Sequence, residues 1–139
     1  MSQITTGFGI YIPFAEVLGV RKVHEAPGNV RIALRLRNEH MNSWQVAHGG
    51  IVMGLLDIAM GMSARSLDSK SDGATTIELK TNFLAAATGQ VTAEGFAQRA
   101  GRSLVYAEGA LTDGEGKVLA KASGTFKLRF PATERSEQD

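Results

Sequence analysis

The sequence contains no cysteine among its 139 residues. This absence excludes disulfide bonds, a cysteine nucleophile and metal sites built from thiolates. It also fits a reducing compartment, so the cytoplasm is the expected location. The chain lacks a basic segment ahead of the apolar residues near its N-terminus, which argues against a secretory signal.

The chain also lacks a strong charge of either sign, since its formal net charge is +1 at neutral pH. Nucleic-acid binding needs a concentrated basic face, so no nucleic-acid partner is expected. The longest apolar run, residues 49–64, holds several glycines and a central acid, which makes it a poor membrane span. The three histidines lack the spacing of metal ligands, so no metal site is expected.

Hydrophobic patterning predicts the order β-β-α-β-β-β-β, preceded by one or two helical turns over Pro13–Leu18. Strands are predicted over Val20–Glu25 and Val30–Arg37, and the one long helix runs from His48 to about Ser66. The four later strands are predicted over Thr75–Ala85, Gln90–Ala100, Ser103–Thr112 and Lys117–Arg129. Short turns between the last three indicate hairpins and an antiparallel sheet, which the long helix would cover. We expect an α+β domain over residues 1–130 and a disordered polar tail over 131–139.

Asp57 is the only charged residue of the apolar run over residues 49–64. A helix this apolar is expected to be mostly buried, and a buried carboxylate costs several kcal/mol unless it is paired or used. The helical repeat places three glycines on the same side: Gly50, Gly54 and Gly61. A purely structural role, in which the acid bonds to a strand residue or to a basic partner such as Arg65, is the alternative, but it does not explain the neighbouring glycines.

His48, Gly49 and Gly50 stand where the chain enters the long helix. N–H groups at a helix N-terminus attract a negative oxygen, and glycines allow a substrate to approach closely. These residues predict an oxyanion-binding site, with a plain glycine-rich helix start as the alternative. Asp57 lies about 12 Å along the helix axis from Gly49, too far to act on the same carbonyl. If both act, two antiparallel copies of the helix must face each other, as in a two-fold dimer.

Together with later segments, these residues resemble the hotdog-fold acyl-CoA thioesterases, and most closely their PaaI-like, or 4HBT-like, branch. The similarity extends from about Asn38 to Phe130 and is carried by Asn42, His48-Gly49-Gly50, Asp57, Thr76, Asn82-Phe83-Leu84 and Gly101-Arg102-Ser103. The resemblance implies a hotdog fold, in which a curved antiparallel sheet wraps a long helix. It also implies a homodimer, often paired into a tetramer, that hydrolyses acyl-CoA to free acid and CoA without a cofactor.

The resemblance further implies a role for each catalytic residue. The N–H of Gly49 would donate to the thioester oxygen, and Asn42 would help to polarise that carbonyl or to place water. Asp57 of the opposite subunit would be the nucleophile or the general base. Thr76 would assist this acid, with Thr75 as the alternative.

His48 is included in the catalytic set, although its ring is expected to fix the loop rather than act as a base. Substrate-binding candidates are Gly50, Thr75, Phe83, Leu84, Arg99, Gly101, Arg102 and Ser103. Arginines bind phosphates in a bidentate manner, so the turn at Arg99–Ser103 would hold CoA phosphates, with an ordinary charged turn as the alternative. Relatives often carry Arg-Pro where this chain has Ala85-Ala86, which weakens a CoA contact at that position.

Two other functions stay open. Dehydratases and hydratases of the same fold also carry a histidine and a helix acid, but their characteristic prolines are missing here. A non-catalytic acyl-CoA-binding protein would keep the phosphate-binding turn and could dispense with Asp57. Within the thioesterase interpretation, apolar candidates for the pocket such as Leu55 and Phe83 favour an aromatic or medium-length acyl group, for example phenylacetyl or hydroxybenzoyl.

Overall fold

The computed structural model describes residues 6–132 of the chain. Its elements are α1 (Pro13–Leu18), β1 (Arg21–Ala26), β2 (Asn29–Arg35), a short 3-10 helix (Asn38–His40), α2 (Gly49–Arg65), β3 (Gly73–Phe83), β4 (Gln90–Arg99), β5 (Leu104–Asp113) and β6 (Val118–Arg129). This order confirms the predicted succession of strands around one long helix, and each boundary agrees within two residues. Apart from its first two residues, the tail predicted over 131–139 lies outside the described residues.

All six strands form one curved antiparallel sheet in the order β1-β2-β4-β5-β6-β3. β4, β5 and β6 follow one another through the two predicted hairpins. β3 does not pair with β4, its neighbour in sequence, because the connection over residues 84–89 carries the chain to the other side of the sheet. β3 instead pairs with β6, from Gly73 opposite Arg129 to Phe83 opposite Ala120. β3 is therefore an edge strand.

α2 packs its bulky apolar side chains against the concave face of the sheet. Leu55, Leu56, Ala59 and Met60 on this face are at most 1% exposed, and together with strand residues they form the main hydrophobic core. Burial of each large aliphatic side chain contributes roughly 1.5–3 kcal/mol, so this contact supplies much of the stability. Ser63 adds a polar link, because its Oγ accepts a hydrogen bond from the N–H of Val30 in β2 at 3.0 Å.

Glycines on two neighbouring strands bring the helix close to the sheet. Gly95 in β4 stands opposite Gly109 in β5. A Cβ on Gly95 would lie 2.6 Å from the carbonyl oxygen of Ala59, and one on Gly109 would lie 2.9 Å from the sulfur of Met60. The absence of side chains at these strand positions therefore sets the distance between helix and sheet.

The other side of α2 is left largely uncovered by the chain. Gly50 and Met53 are exposed, and Asp57 is only half-buried. The expectation that Asp57 is a buried carboxylate is therefore wrong for a single chain. The physical reason is that the sheet covers one face of the helix, and Asp57 lies at the edge of the uncovered side, where it contacts the edge strand β3 and stays accessible. Within residues 6–132, no helix combines the length and apolarity that a bilayer crossing requires.

The close approach at Gly95 predicts that Gly95→Ala destabilises the fold by about 1–3 kcal/mol, because the new methyl group would overlap the backbone of Ala59. Gly114→Ala is the matched control, since nothing lies within 4 Å of a Cβ at that position. Urea unfolding of both variants measures the effect. Equal unfolding free energies for the two would contradict this account of the helix–sheet contact.

Candidate functional site

The N-terminus of α2 carries one N–H group without a partner. His48 is the N-cap, and its Nδ1 accepts a hydrogen bond from the N–H of Gly50 at 2.8 Å. The neutral ring therefore keeps its proton on Nε2 and acts as a capping group. The N–H of Gly49, the first helical residue, has no hydrogen-bond partner among residues 6–132. Gly49 thus presents the available donor at this positive helix end, whereas the N–H of Gly50 is already used.

The loop ahead of α2 is held by His40, a residue that the motif analysis did not select. Its carbonyl oxygen accepts from the N–H of His48 at 2.8 Å, and its Nδ1 accepts from the N–H of Arg37 at 2.9 Å. Burial lowers the pKa of His40, and the positive charge of Arg37 lowers it further, so the ring stays neutral and keeps Nδ1 as an acceptor. The sequence shows a histidine eight residues before His48 but no motif that would assign it this role.

Asn42 lies in the same loop, where its side-chain oxygen accepts from the N–H groups of Trp44 at 2.8 Å and Val46 at 3.4 Å. The oxygen therefore shapes the loop itself. Only the side-chain nitrogen of Asn42 is left to donate to a substrate. No hydrogen bond joins Asn42 to Asp57 within the described part of the chain.

Asp57 and Thr76 are brought together as expected. The hydroxyl of Thr76, in β3, donates a hydrogen bond to Oδ1 of Asp57 at 2.6 Å. Thr75 belongs to the opposite face of β3 by the alternation of a strand, so Thr76 rather than Thr75 reaches the acid. This bond orients the carboxylate and leaves Oδ2 for a ligand.

A pocket of about 290 Å³ opens beside Asp57 and Thr76. Its walls also include the aliphatic side chains Ile10, Ile12, Ile58 and Met62, and Arg65 lies in the same lining. Arg65 forms no ion pair with Asp57, so of the two partners considered for a structural role of the acid, a strand residue and a basic residue, the structure shows the strand residue, Thr76. The pocket therefore combines one oriented carboxylate, one arginine and an apolar wall.

The end of β3 reaches the start of α2. The Phe83 ring comes within 3.6 Å of the position that a Cβ on Gly49 would take. Phe83 and the following Leu84 are 54% and 60% exposed, so both present apolar surface beside the unpaired N–H. β3 thus runs from Thr76, which contacts Asp57, to Phe83, which lies beside the start of α2.

The turn proposed to hold phosphates lies elsewhere. Arg99 donates to the carbonyl oxygens of Gly101 and Arg102, and its Nη1 pairs with Asp68 at 3.1 Å. Its guanidinium therefore closes the turn and ties it to the segment after α2, and Ser103 accepts from the N–H of Leu128. Within one chain this turn stands near the C-terminal end of α2, about 24 Å from Gly49 along the axis.

The structure thus contains two separated halves of a site. One half is an oriented carboxylate at Asp57, which can take a proton or attack an electrophile. The other half is the N–H of Gly49, which can stabilise a developing oxyanion. Across residues 6–132, no three carboxylate or imidazole side chains converge in a way that could hold a metal ion.

A family model described as the thioesterase superfamily matches residues 45–120, which include Gly49, Asp57 and Thr76. The chain belongs to the thioesterase superfamily. The protein named "Putative esterase SSO2140" of Saccharolobus solfataricus is 33% identical over 112 residues, 80% of this chain and 79% of that one. This membership confirms the resemblance noted from the motifs.

Solved structures confirm the hotdog fold of this thioesterase-superfamily chain. The Escherichia coli PaaI protein of the phenylacetic acid degradation operon superposes with a TM-score of 0.76 at 19% identity, covering 83% of each chain. A Streptococcus mutans protein bound to acetyl CoA superposes with a TM-score of 0.73 at 22% identity, covering 80% of this chain and 89% of that one. At these identities the two structures support the fold alone.

Proposed function

We propose that this protein hydrolyses acyl-CoA thioesters to free acid and CoA, with Asp57 as the reacting carboxylate. The observation that carries the proposal is the hydrogen bond from Thr76 to Asp57 at the pocket, in a member of the thioesterase superfamily. An acid that is oriented by a hydroxyl and left with one unshared oxygen suits either proton transfer from water or direct attack. The reaction needs no cofactor, because CoA is part of the substrate, and the cytoplasm is the proposed location.

The active form is a homodimer whose two α2 helices run antiparallel. Within one chain, Gly49 and Asp57 are eight residues apart on α2, about 12 Å along its axis, so they cannot contact one carbonyl group. A two-fold axis beside α2 would place Gly49 of one protomer opposite Asp57 of its partner, and would produce two equal sites. Pairing of two such dimers into a tetramer is a further possible assembly.

Exposed apolar surface on the same side of the chain supports this pairing. The edge strand β3 is open over its length, and an unpaired strand edge is a ready surface for a second copy. Ile77 on this strand is 57% exposed, and Phe83 and Leu84 at its end are more than half exposed. Burial of these residues and of the open side of α2 in a dimer would remove from water apolar surface that the single chain leaves exposed.

In this dimer the reaction would use the N–H of Gly49 from one protomer and the carboxylate of Asp57 from its partner. The Gly49 N–H donates to the thioester oxygen and stabilises negative charge as the carbonyl carbon becomes tetrahedral. Asp57 of the partner removes a proton from water as the water attacks, or attacks the carbon itself, while Thr76 holds its Oδ1. The carbon–sulfur bond then breaks and CoA leaves as a thiolate, which requires no strong general acid. Where Asp57 itself has attacked, the acyl group is left as a mixed anhydride with its carboxylate, and water then hydrolyses this anhydride to release the acid and restore Asp57. The side-chain nitrogen of Asn42 would donate to the same carbonyl or to the water.

A CoA ester is the favoured substrate because the similar Streptococcus mutans structure holds acetyl CoA. Phe83, Leu84 and Gly50 would contact the substrate at the helix start, where no side chain blocks Gly49. We propose that the charged turn at Arg99–Ser103 binds the CoA phosphates through Arg102 and Ser103, while Arg99 holds the turn to Asp68.

Asp57→Asn should lower kcat for acyl-CoA hydrolysis by about 10²–10⁴-fold, because an amide neither accepts the proton nor attacks the carbonyl. Thr76→Val should lower kcat by a smaller factor, since the carboxylate remains but is no longer oriented. Thiol release from a panel of acyl-CoA esters measures both effects. Glu115→Gln, an exposed acid in a hairpin turn, is the matched control. Unchanged kcat in Asp57→Asn would exclude the proposed role of the acid.

Gly49→Pro should lower kcat by about 10²–10³-fold, because proline lacks the N–H that donates to the oxyanion. The first helical position tolerates proline, and His48 already has the extended backbone, φ −58° and ψ 141°, that precedes proline. Gly49→Ala is the control, since it keeps the N–H and its methyl group would sit 3.6 Å from Phe83, an ordinary contact. Equal losses in the two variants would point to crowding instead of a missing donor.

A further inference from the structure

Arg65 is a charged side chain without a partner in the last turn of α2. It lines the pocket that contains Asp57, and its Nε is buried with no hydrogen-bond partner among residues 6–132. An unsatisfied buried donor costs roughly 1–3 kcal/mol, and more when the group is charged. The fold therefore retains an arginine whose hydrogen-bonding capacity is met by nothing in the described chain.

None of the acids around Arg65 forms an ion pair with it within residues 6–132. Glu25 and Asp68 line a small neighbouring pocket together with Arg65. Glu25 pairs with the Lys22 ammonium at 2.6 Å, and Asp68 pairs with the Arg99 guanidinium at 3.1 Å. Asp57, on the other side, accepts from Thr76. The positive charge of Arg65 is thus available for an anion that enters the pocket.

The space between Asp57 and Arg65 is apolar and short. Aliphatic side chains of two segments line it, namely Ile10, Ile12, Ile58 and Met62, and Gly61 between them leaves room. Asp57 and Arg65 are eight residues apart, about 12 Å along α2, and long helical side chains point back toward the N-terminus. The volume of about 290 Å³ suits one compact group that reaches from the acid toward the arginine.

We propose that this pocket binds the acyl group and that Arg65 determines specificity by pairing with a carboxylate at its far end. The substrate class is then the monothioester of a dicarboxylic acid, with methylene or aromatic carbon against the aliphatic wall. A carboxylate needs such a partner to enter an apolar pocket, and a guanidinium binds it through two parallel hydrogen bonds. This inference rests on the proposed thioesterase function.

The phosphates of CoA are the other possible source of an anion for Arg65. Two observations favour the acyl carboxylate: the Nε of Arg65 is buried, and the walls beside it are aliphatic. Phosphates carry more charge and stay better solvated at a protein surface, so a pocket with aliphatic walls is a poor place for them. The experiment below separates the two sources by using thioesters that contain no phosphate.

The test compares glutaryl and valeryl thioesters, which differ mainly by the distal carboxylate, each made with CoA and with N-acetylcysteamine. The wild-type protein should prefer the glutaryl thioesters in both series. Arg65→Met keeps an unbranched side chain about as long as the aliphatic stem of arginine but removes the charged guanidinium, and should lower the glutaryl-to-valeryl ratio of kcat/KM by about a hundredfold. Arg35→Met, an exposed arginine on β2, should keep the wild-type ratio.

Other outcomes overturn the inference in distinguishable ways. An equal loss of both acyl groups in Arg65→Met, seen with CoA esters only, would assign Arg65 to the CoA phosphates. A wild-type protein that hydrolyses valeryl but not glutaryl thioesters would reject the carboxylate specificity and leave the thioesterase function standing. Hydrolysis of no thioester would instead reject the proposed function, and binding of glutaryl-CoA to Asp57→Asn, compared by calorimetry with and without Arg65→Met, would then still test the carboxylate pairing.

Discussion

The contact between α2 and the curved sheet determines how the rest of this structure is arranged. Leu55, Leu56 and Met60 are buried against strands that carry glycine at positions 95 and 109. Because the sheet can cover only one face of the helix, the opposite face is left to carry other residues. That open face holds Asp57 and the small residues near it, so the packing that stabilises the fold also exposes the candidate chemistry.

The same geometry separates the two candidate catalytic groups, the N–H of Gly49 and the carboxylate of Asp57, along α2. The helix start offers one unpaired N–H at Gly49, and the oriented acid lies two turns further on, beside β3. A rigid helix cannot bring these groups together, and no loop of the described chain does so. The proposed function therefore treats the chain as half of a catalytic unit, in which the open helix face and the β3 edge would contact a second copy. In the proposed substrate complex, Arg65 binds the distal carboxylate at the end of the pocket beyond Asp57.

Periodicity predicted the element order, and the resemblance to a known family implied the fold and the contact between Thr76 and Asp57. Sequence reasoning failed where the answer depends on distant partners. The sequence indicated that β3 is a strand. It did not indicate that a crossover would pair this strand with β6 instead of β4. Asp57 was expected to be buried because α2 is apolar. The sequence does not show that the sheet covers only one face of this helix. His40 and the unpaired Arg65 could be recognised only once their neighbours were known, since neither belongs to a motif.

The central claim is that each site combines Gly49 of one protomer with Asp57 of the other. Mixed dimers of an Asp57→Asn chain and a Gly49→Pro chain, purified with two different tags, test it most directly. Each mixed dimer would hold one site with both groups intact and one with both groups altered, so acyl-CoA hydrolysis should recover to about half the wild-type rate, although each parent is nearly inactive. Mixed dimers as inactive as both parents would show that the two groups act within one chain, and would contradict the account.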